Sequence, residues 1–85
     1  MKIMFFVYVL KSEKDHDLYV GRTENIELRV DDHNMGRVES TKNRKPLKLI
    51  YYEASRNAKD AAHREIYLKT AWGKRFLKQR FKNDL

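Results

Sequence analysis

Three short runs of aromatic and β-branched residues stand out from a mostly polar chain. They cover residues 3–11, 17–23 and 47–53. Runs of this length and composition, bounded by polar segments, predict β-strands. The first two are separated by only five polar residues, 12–16, which predicts a β-hairpin.

The register of this hairpin brings two tyrosines together. If the turn centres near Glu13 and Lys14, Tyr8 lies across from Tyr19. Cross-strand partners point to the same face of a sheet with Cβ atoms roughly 5 Å apart. We therefore expect the two phenols to be neighbours.

A first helix is predicted over residues 25–35. Asn25 is a good N-cap, and Gly36 is a common stop signal because glycine readily takes the left-handed conformation after a last turn. At about 100° per residue, Arg29 and His33 fall on the same flank of this helix. They are expected to be neighbours.

Two further helices are predicted after the third strand. Asn57 and Asp60 resemble a capping box and open a helix that runs to about Ala71. The pair Trp72-Gly73 then breaks the pattern, and residues 74–82 form a short basic helix. Helices and a mainly antiparallel three-stranded sheet predict an α+β fold.

One carboxylate does not match its position on the second helix. Glu65 lies in the middle of an apolar arc formed by Ala58, Ala61, Ala62, Leu68 and Trp72. A carboxylate there must be neutralised, paired with a base or bound to a cation, because an uncompensated buried charge is costly. Lys69 shares the arc, but its long stem can carry the ammonium out to water. The position leaves open whether Glu65 pairs with an arginine or holds a metal ion.

Composition and charge narrow the class of protein. The chain has 85 residues, enough for one domain with a modest core, and its net charge of +7 predicts an acidic partner. The polar segment 37–46 contains the only proline and predicts a mobile loop within that domain. The sequence has no cysteine and no apolar run of the roughly 20 residues that span a bilayer. We expect a cytoplasmic protein with no membrane partner.

Taken in order, several residues resemble the GIY-YIG nuclease domain, in particular its small single-domain branch. The resemblance covers residues from about 5 to 81 and rests on Tyr8, Tyr19-Val20-Gly21, Arg29, His33 and Glu65. The first family motif, GIY, corresponds to Phe6-Val7-Tyr8 here, so phenylalanine replaces the glycine of the motif. The asparagine found late in some members has no clear counterpart, since Asn83 lies too far along the chain.

The resemblance implies a role for each of these side chains in phosphodiester hydrolysis. Glu65 would hold one Mg²⁺ or Mn²⁺ ion, and Arg29 would bind the phosphate. Tyr8 is the candidate general base, while His33 would accept the proton directly or relay it. Tyr19 would orient the water or a phosphate. The alternative is that the tyrosines are ordinary sheet aromatics and that His33 is a solvated helix residue.

Nucleic acid is the acidic partner that the resemblance implies, and DNA is the expected form. Gly21 lacks a side chain and lets the strand end approach phosphate or helix closely. The expected phosphate contacts are Arg22, Arg37, Lys42, Arg44, Lys45, Lys74, Arg75 and Lys78, with Arg80 and Lys82 nearby. A solvated charged surface is the alternative.

These observations predict a single GIY-YIG-like domain over residues 1–85. It would act as a metal-dependent endonuclease on DNA and select the structure of its substrate rather than a sequence. Two alternatives stay open: a nucleic-acid-binding module that does not cut, and a nuclease that an activating or targeting protein switches on.

Overall fold

A three-stranded antiparallel sheet, with the first strand of the chain in the centre and the second and third at its two edges, organises the computed structural model, which describes residues 3–84. Three helices flank the sheet, so the α+β prediction is confirmed. None of the helices in the described residues combines the length and hydrophobicity needed to cross a membrane. In chain order the elements are β1 Phe5–Ser12, β2 Leu18–Thr23, α1 Ile26–Asn34, β3 Leu47–Ser55, α2 Ala58–Leu68, α3 Ala71–Arg80 and a 3₁₀ turn Lys82–Asp84.

Alternating side chains of the central strand β1 build a hydrophobic cluster on each face of the sheet. On one face, Tyr8 and Leu10 pack with Leu47 and with Val30 of α1. On the other face the cluster includes α2 and α3, and its buried members are Val7, Val9, Val20, Ala61, Leu68 and Leu77. The sheet therefore separates α1 from the α2–α3 layer.

The predicted register of the hairpin is wrong by two residues. Tyr8 lies opposite Gly21, and Tyr19 lies opposite Leu10. The cause is the turn: Ser12 N–H donates to the Asp17 carbonyl at 3.0 Å, which moves the turn centre toward the second strand. Because a shift of two residues keeps every side chain on its face, the two tyrosines remain neighbours.

The boundary between α2 and α3 also differs from the prediction. The second helix ends at Leu68, and Thr70 caps the third by accepting a hydrogen bond from Gly73 N–H. A Cβ at Gly73 would collide with the backbone of Tyr67 and Leu68, so this glycine permits close helix packing rather than breaking a helix. Trp72, expected in the apolar arc, is 68% exposed because the new helix begins before it.

The loop between α1 and β3, predicted to be mobile, is anchored to the body of the protein. Val38 and Thr41 are buried. The buried Ser12 hydroxyl donates to the Arg44 carbonyl at 2.6 Å. Because these contacts fix the loop, it can hold a buried side chain such as Thr41 in a defined position.

Candidate active site

Three buried side chains form a hydrogen-bonded chain on the face of the sheet that α1 covers. The Tyr8 hydroxyl lies 2.8 Å from His33 Nε2, and His33 Nδ1 lies 2.7 Å from the Thr41 hydroxyl. The exposed fraction is 1% for Tyr8 and zero for His33 and Thr41. His33 is therefore not a solvated helix residue, and the tyrosine and threonine satisfy both of its ring nitrogens.

Local structure accounts for this placement. Asn25 caps α1 by accepting from Leu28 N–H, and the helical repeat then turns His33 toward the sheet. The Asn34 side chain exchanges two hydrogen bonds with the backbone of Leu47, at 2.9 and 2.8 Å, which ties the end of α1 to β3. Gly21 clears space for the phenol, because a Cβ there would collide with the Tyr8 hydroxyl.

Burial disfavours the charged forms of both the phenol and the imidazole. It raises the pKa of Tyr8, and this effect outweighs a hydrogen bond from Arg29 that lowers the same pKa. Burial also lowers the pKa of His33 to about 4, with a further contribution from the positive charge of Arg29. When the Tyr8 O–H donates to Nε2, His33 carries its proton on Nδ1 and donates to Thr41.

Two further predicted site residues border this chain on the solvent side. The half-buried Tyr19 packs edge-on against the His33 ring, with centroids 4.9 Å apart. Hydrogen bonding to Tyr8 raises the pKa of Arg29, whose side chain is 39% exposed. The guanidinium therefore joins the buried phenol to the surface, where an anion can reach it.

Glu65 is paired with two cations. Its Oε1 lies 3.4 Å from Arg22 Nε and its Oε2 lies 3.1 Å from Lys69 Nζ. The Lys69 side chain is 53% exposed, so its ammonium pairs with the carboxylate while it stays in contact with water. Glu65 is close enough to the phenol for its charge to contribute to the raised pKa of Tyr8. Of the two alternatives that the sequence leaves open for Glu65, the structure shows the ion pair.

The donor set around Glu65 fits only one kind of metal site. Among residues 3–84 no group of three or more histidine, aspartate or glutamate side chains converges on one point. A single carboxylate suits a Mg²⁺ or Mn²⁺ ion that keeps most of its waters and is bound mainly by a substrate phosphate. The half-exposed Arg22 and Lys69 would have to turn away from Glu65.

Apart from Arg22, which pairs with Glu65, the predicted phosphate contacts fall into two groups. Three loop cations are engaged with carboxylates: Arg37 with Asp32, Lys42 with Glu39, and Arg44 with Asp15. In the part of the chain described here, no carboxylate lies within ion-pair distance of the other loop cation, Lys45, or of three exposed cations of α3, namely Lys74, Arg75 and Lys78. The stronger anion surface is therefore α3.

Sequence reasoning missed two residues of the site. Thr41 lies in a polar loop with no periodicity, so no local pattern indicates that it binds His33. Lys69 did have a signal, since it follows Glu65 at the i,i+4 spacing that favours helical ion pairs.

Comparison with known proteins places this arrangement in a family. Residues 4–81 match the model of the GIY-YIG catalytic domain. The UPF0213 protein of Clostridium perfringens is 45% identical over 67 residues, which cover 78% of this chain and 71% of the relative. That of Staphylococcus haemolyticus is 41% identical over 66 residues, covering 76% and 79%. The solution NMR structure of a UPF0213 protein from Bacillus halodurans has the same fold, with a TM-score of 0.58, 24% identity and coverage of 93% of this chain and 86% of the other.

Proposed function

The chain belongs to the GIY-YIG family, and from this premise we propose that it is a metal-dependent endonuclease that hydrolyses phosphodiester bonds in DNA. The observation that carries the proposal is the convergence of Tyr8, His33 and Arg29 at the end of β2, beside Glu65. Hydrolysis needs a base, charge stabilisation and assistance to the leaving oxygen. Tyr8 and His33 offer the base, and Arg29 offers the charge stabilisation.

Tyr8 and His33 act as a proton-accepting pair. A free phenol has a pKa near 10 and is a poor base at neutral pH. A neutral His33 can take the Tyr8 proton at Nε2 while the phenol oxygen takes one from the attacking water. The Thr41 hydroxyl accepts from Nδ1–H and stabilises the imidazolium that forms. Thr41 is thus a positioning residue.

The remaining residues handle the phosphate. Arg29 presents a planar, permanently charged guanidinium that can bind two phosphate oxygens at once. Glu65 would hold a divalent cation, which supplies Lewis-acid stabilisation of the leaving oxygen when bound. Arg22 and Lys69, released from Glu65, would then be available to neighbouring phosphates.

A second candidate function is a nucleic-acid-binding module that does not cut, or that cuts only when a partner protein rearranges it. Two observations favour it. Tyr8 is 1% exposed, so water reaches its hydroxyl only if the site opens. Both carboxylate oxygens of Glu65 are occupied by cations.

A cleavage assay separates the two. Purified protein is incubated with duplex, single-stranded and branched DNA in Mg²⁺, Mn²⁺ or EDTA, while fluorescence anisotropy measures binding. We expect cutting that EDTA abolishes, that Tyr8→Phe nearly abolishes and that Tyr19→Phe reduces less. Tyr67→Phe is the matched control, because Tyr67 is an exposed tyrosine on α2 and Arg64 lies over the face of its ring rather than at its hydroxyl.

Equal activity in wild type, Tyr8→Phe and Glu65→Gln would identify a contaminating nuclease and overturn the catalytic proposal. Binding without cutting in every buffer would favour the second candidate. If His33→Ala abolishes cutting while Tyr8→Phe does not, His33 is the base.

A further inference from the structure

Trp72 is the only tryptophan of the chain, and it lies on the surface at the start of α3. Its side chain is 68% exposed, the largest value among the exposed large hydrophobic residues of the described part. Most of an indole is normally removed from water in a folded domain. An indole left in water is available to stack on a planar ligand.

The surroundings of Trp72 are strongly basic. Helix α3 carries four lysine or arginine residues and no acidic residue. The guanidinium carbon of Arg75 lies 4.9 Å from the centre of the Trp72 ring. Lys74 and Lys78 are exposed on the same helix. An aromatic face among uncompensated cations is complementary to a polyanion whose bases can stack.

A groove between α3 and β2 approaches the candidate active site. Tyr19 lines it together with Lys69 and Lys74. Lys69 in turn contacts Glu65 at 3.1 Å. A strand bound at Glu65 and Tyr19 would therefore reach the start of α3, with its phosphates near Lys69 and Lys74.

We propose that Trp72 stacks on an unpaired nucleobase of the bound nucleic acid, while Arg75 contacts the adjoining phosphate. The proposal rests on the nucleic-acid function proposed above and narrows its substrate class. Inside a duplex each base is covered on both faces by its neighbours, so only single strands, overhangs and junctions offer a free face. Trp72 thus selects a structure without reading a sequence, because every base has a π-face.

The intrinsic fluorescence of the protein tests this directly, because all tryptophan emission comes from Trp72. Protein in EDTA, which prevents cutting, is titrated with a single-stranded DNA of about 20 nucleotides, the same RNA, a closed hairpin duplex and inorganic polyphosphate. We expect strong quenching by a single strand and little by the duplex or polyphosphate. Whichever single strand, DNA or RNA, quenches the emission at lower concentration shows which sugar the site prefers.

Anisotropy then measures affinity in variants. Trp72→Leu should weaken single-strand binding roughly 5- to 100-fold and leave duplex binding nearly unchanged. Trp72→Phe should retain most of the single-strand affinity, because phenylalanine can still stack on a base. Tyr52→Leu, at an exposed aromatic on β3, is the matched control.

Single-strand binding that is tight but independent of Trp72 would overturn this inference and leave the proposed function intact. Failure of the wild type to bind any nucleic acid would overturn both. A dimer in sedimentation experiments that Trp72→Leu dissolves would assign the indole to self-association instead.

Discussion

The buried imidazole of His33 makes a quantitative prediction about stability and pH. Burial lowers its pKa to about 4 in the folded chain, against about 6.5 when unfolded. The unfolded state therefore binds more protons between these values. The contribution of His33 to stability is fully present above pH 6.5 and is lost as the pH falls toward 4. Integrated from pH 7 to pH 5, the loss in the free energy of unfolding is about 2 kcal/mol.

Urea denaturation at several pH values between 5 and 7 measures this loss. His33→Gln should abolish most of the slope, because glutamine does not titrate. His63→Gln is the matched control, since His63 is exposed on α2, and its curve should follow the wild type. The window lies above the range in which Asp15 and Glu53 titrate, because hydrogen bonds from Arg44 and Arg64 lower their pKa values.

Equal slopes in the wild type and His33→Gln would refute the reasoning. They would mean that the folded chain accepts the proton as readily as the unfolded chain does. An NMR titration of the His33 ring in the wild type checks the same point without a substitution, so a poorly folded variant does not prevent the test.

Three further substitutions test other parts of the site. Gly21→Ala should lower the free energy of unfolding by about 1–3 kcal/mol in urea titrations, because the new methyl group overlaps the Tyr8 ring; an unchanged midpoint would contradict the packing. Glu65→Gln should change the free energy of unfolding by less than about 1 kcal/mol, since the ion-pair partners of Glu65 are half exposed, yet it should abolish metal-dependent cutting. Thermal melts and a cleavage assay compare the variant with the wild type. A large drop in Tm with full cutting would make Glu65 a structural anchor. Arg29→Lys should impair single-turnover cleavage far more than binding, because lysine keeps the charge but loses the two-pronged geometry; equal losses would reduce Arg29 to a surface contact.

Local signals in the sequence determined most of the secondary structure of this protein, apart from the boundary between α2 and α3. Asn25 and Asn57 begin the first two helices as predicted, and Gly36 follows the first helix with a φ of +77°. These features depend on backbone groups within a few residues, so a short window contains the information. The ordered tyrosines and the later arginine and glutamate were likewise sufficient to indicate the family.

Beyond the neighbouring tyrosines, the folded structure decided how the side chains meet. The turn set the register that places Tyr8 opposite Gly21 rather than Tyr19. A folded-back loop brought Thr41 to His33, and β2 brought Arg22 to Glu65. The end of α2 at Leu68 left Trp72 in water. Apart from the register, which the Ser12–Asp17 turn sets, each outcome depends on contacts between residues distant in sequence or on how two helices pack. A local hydrophobic pattern carries no information about such contacts.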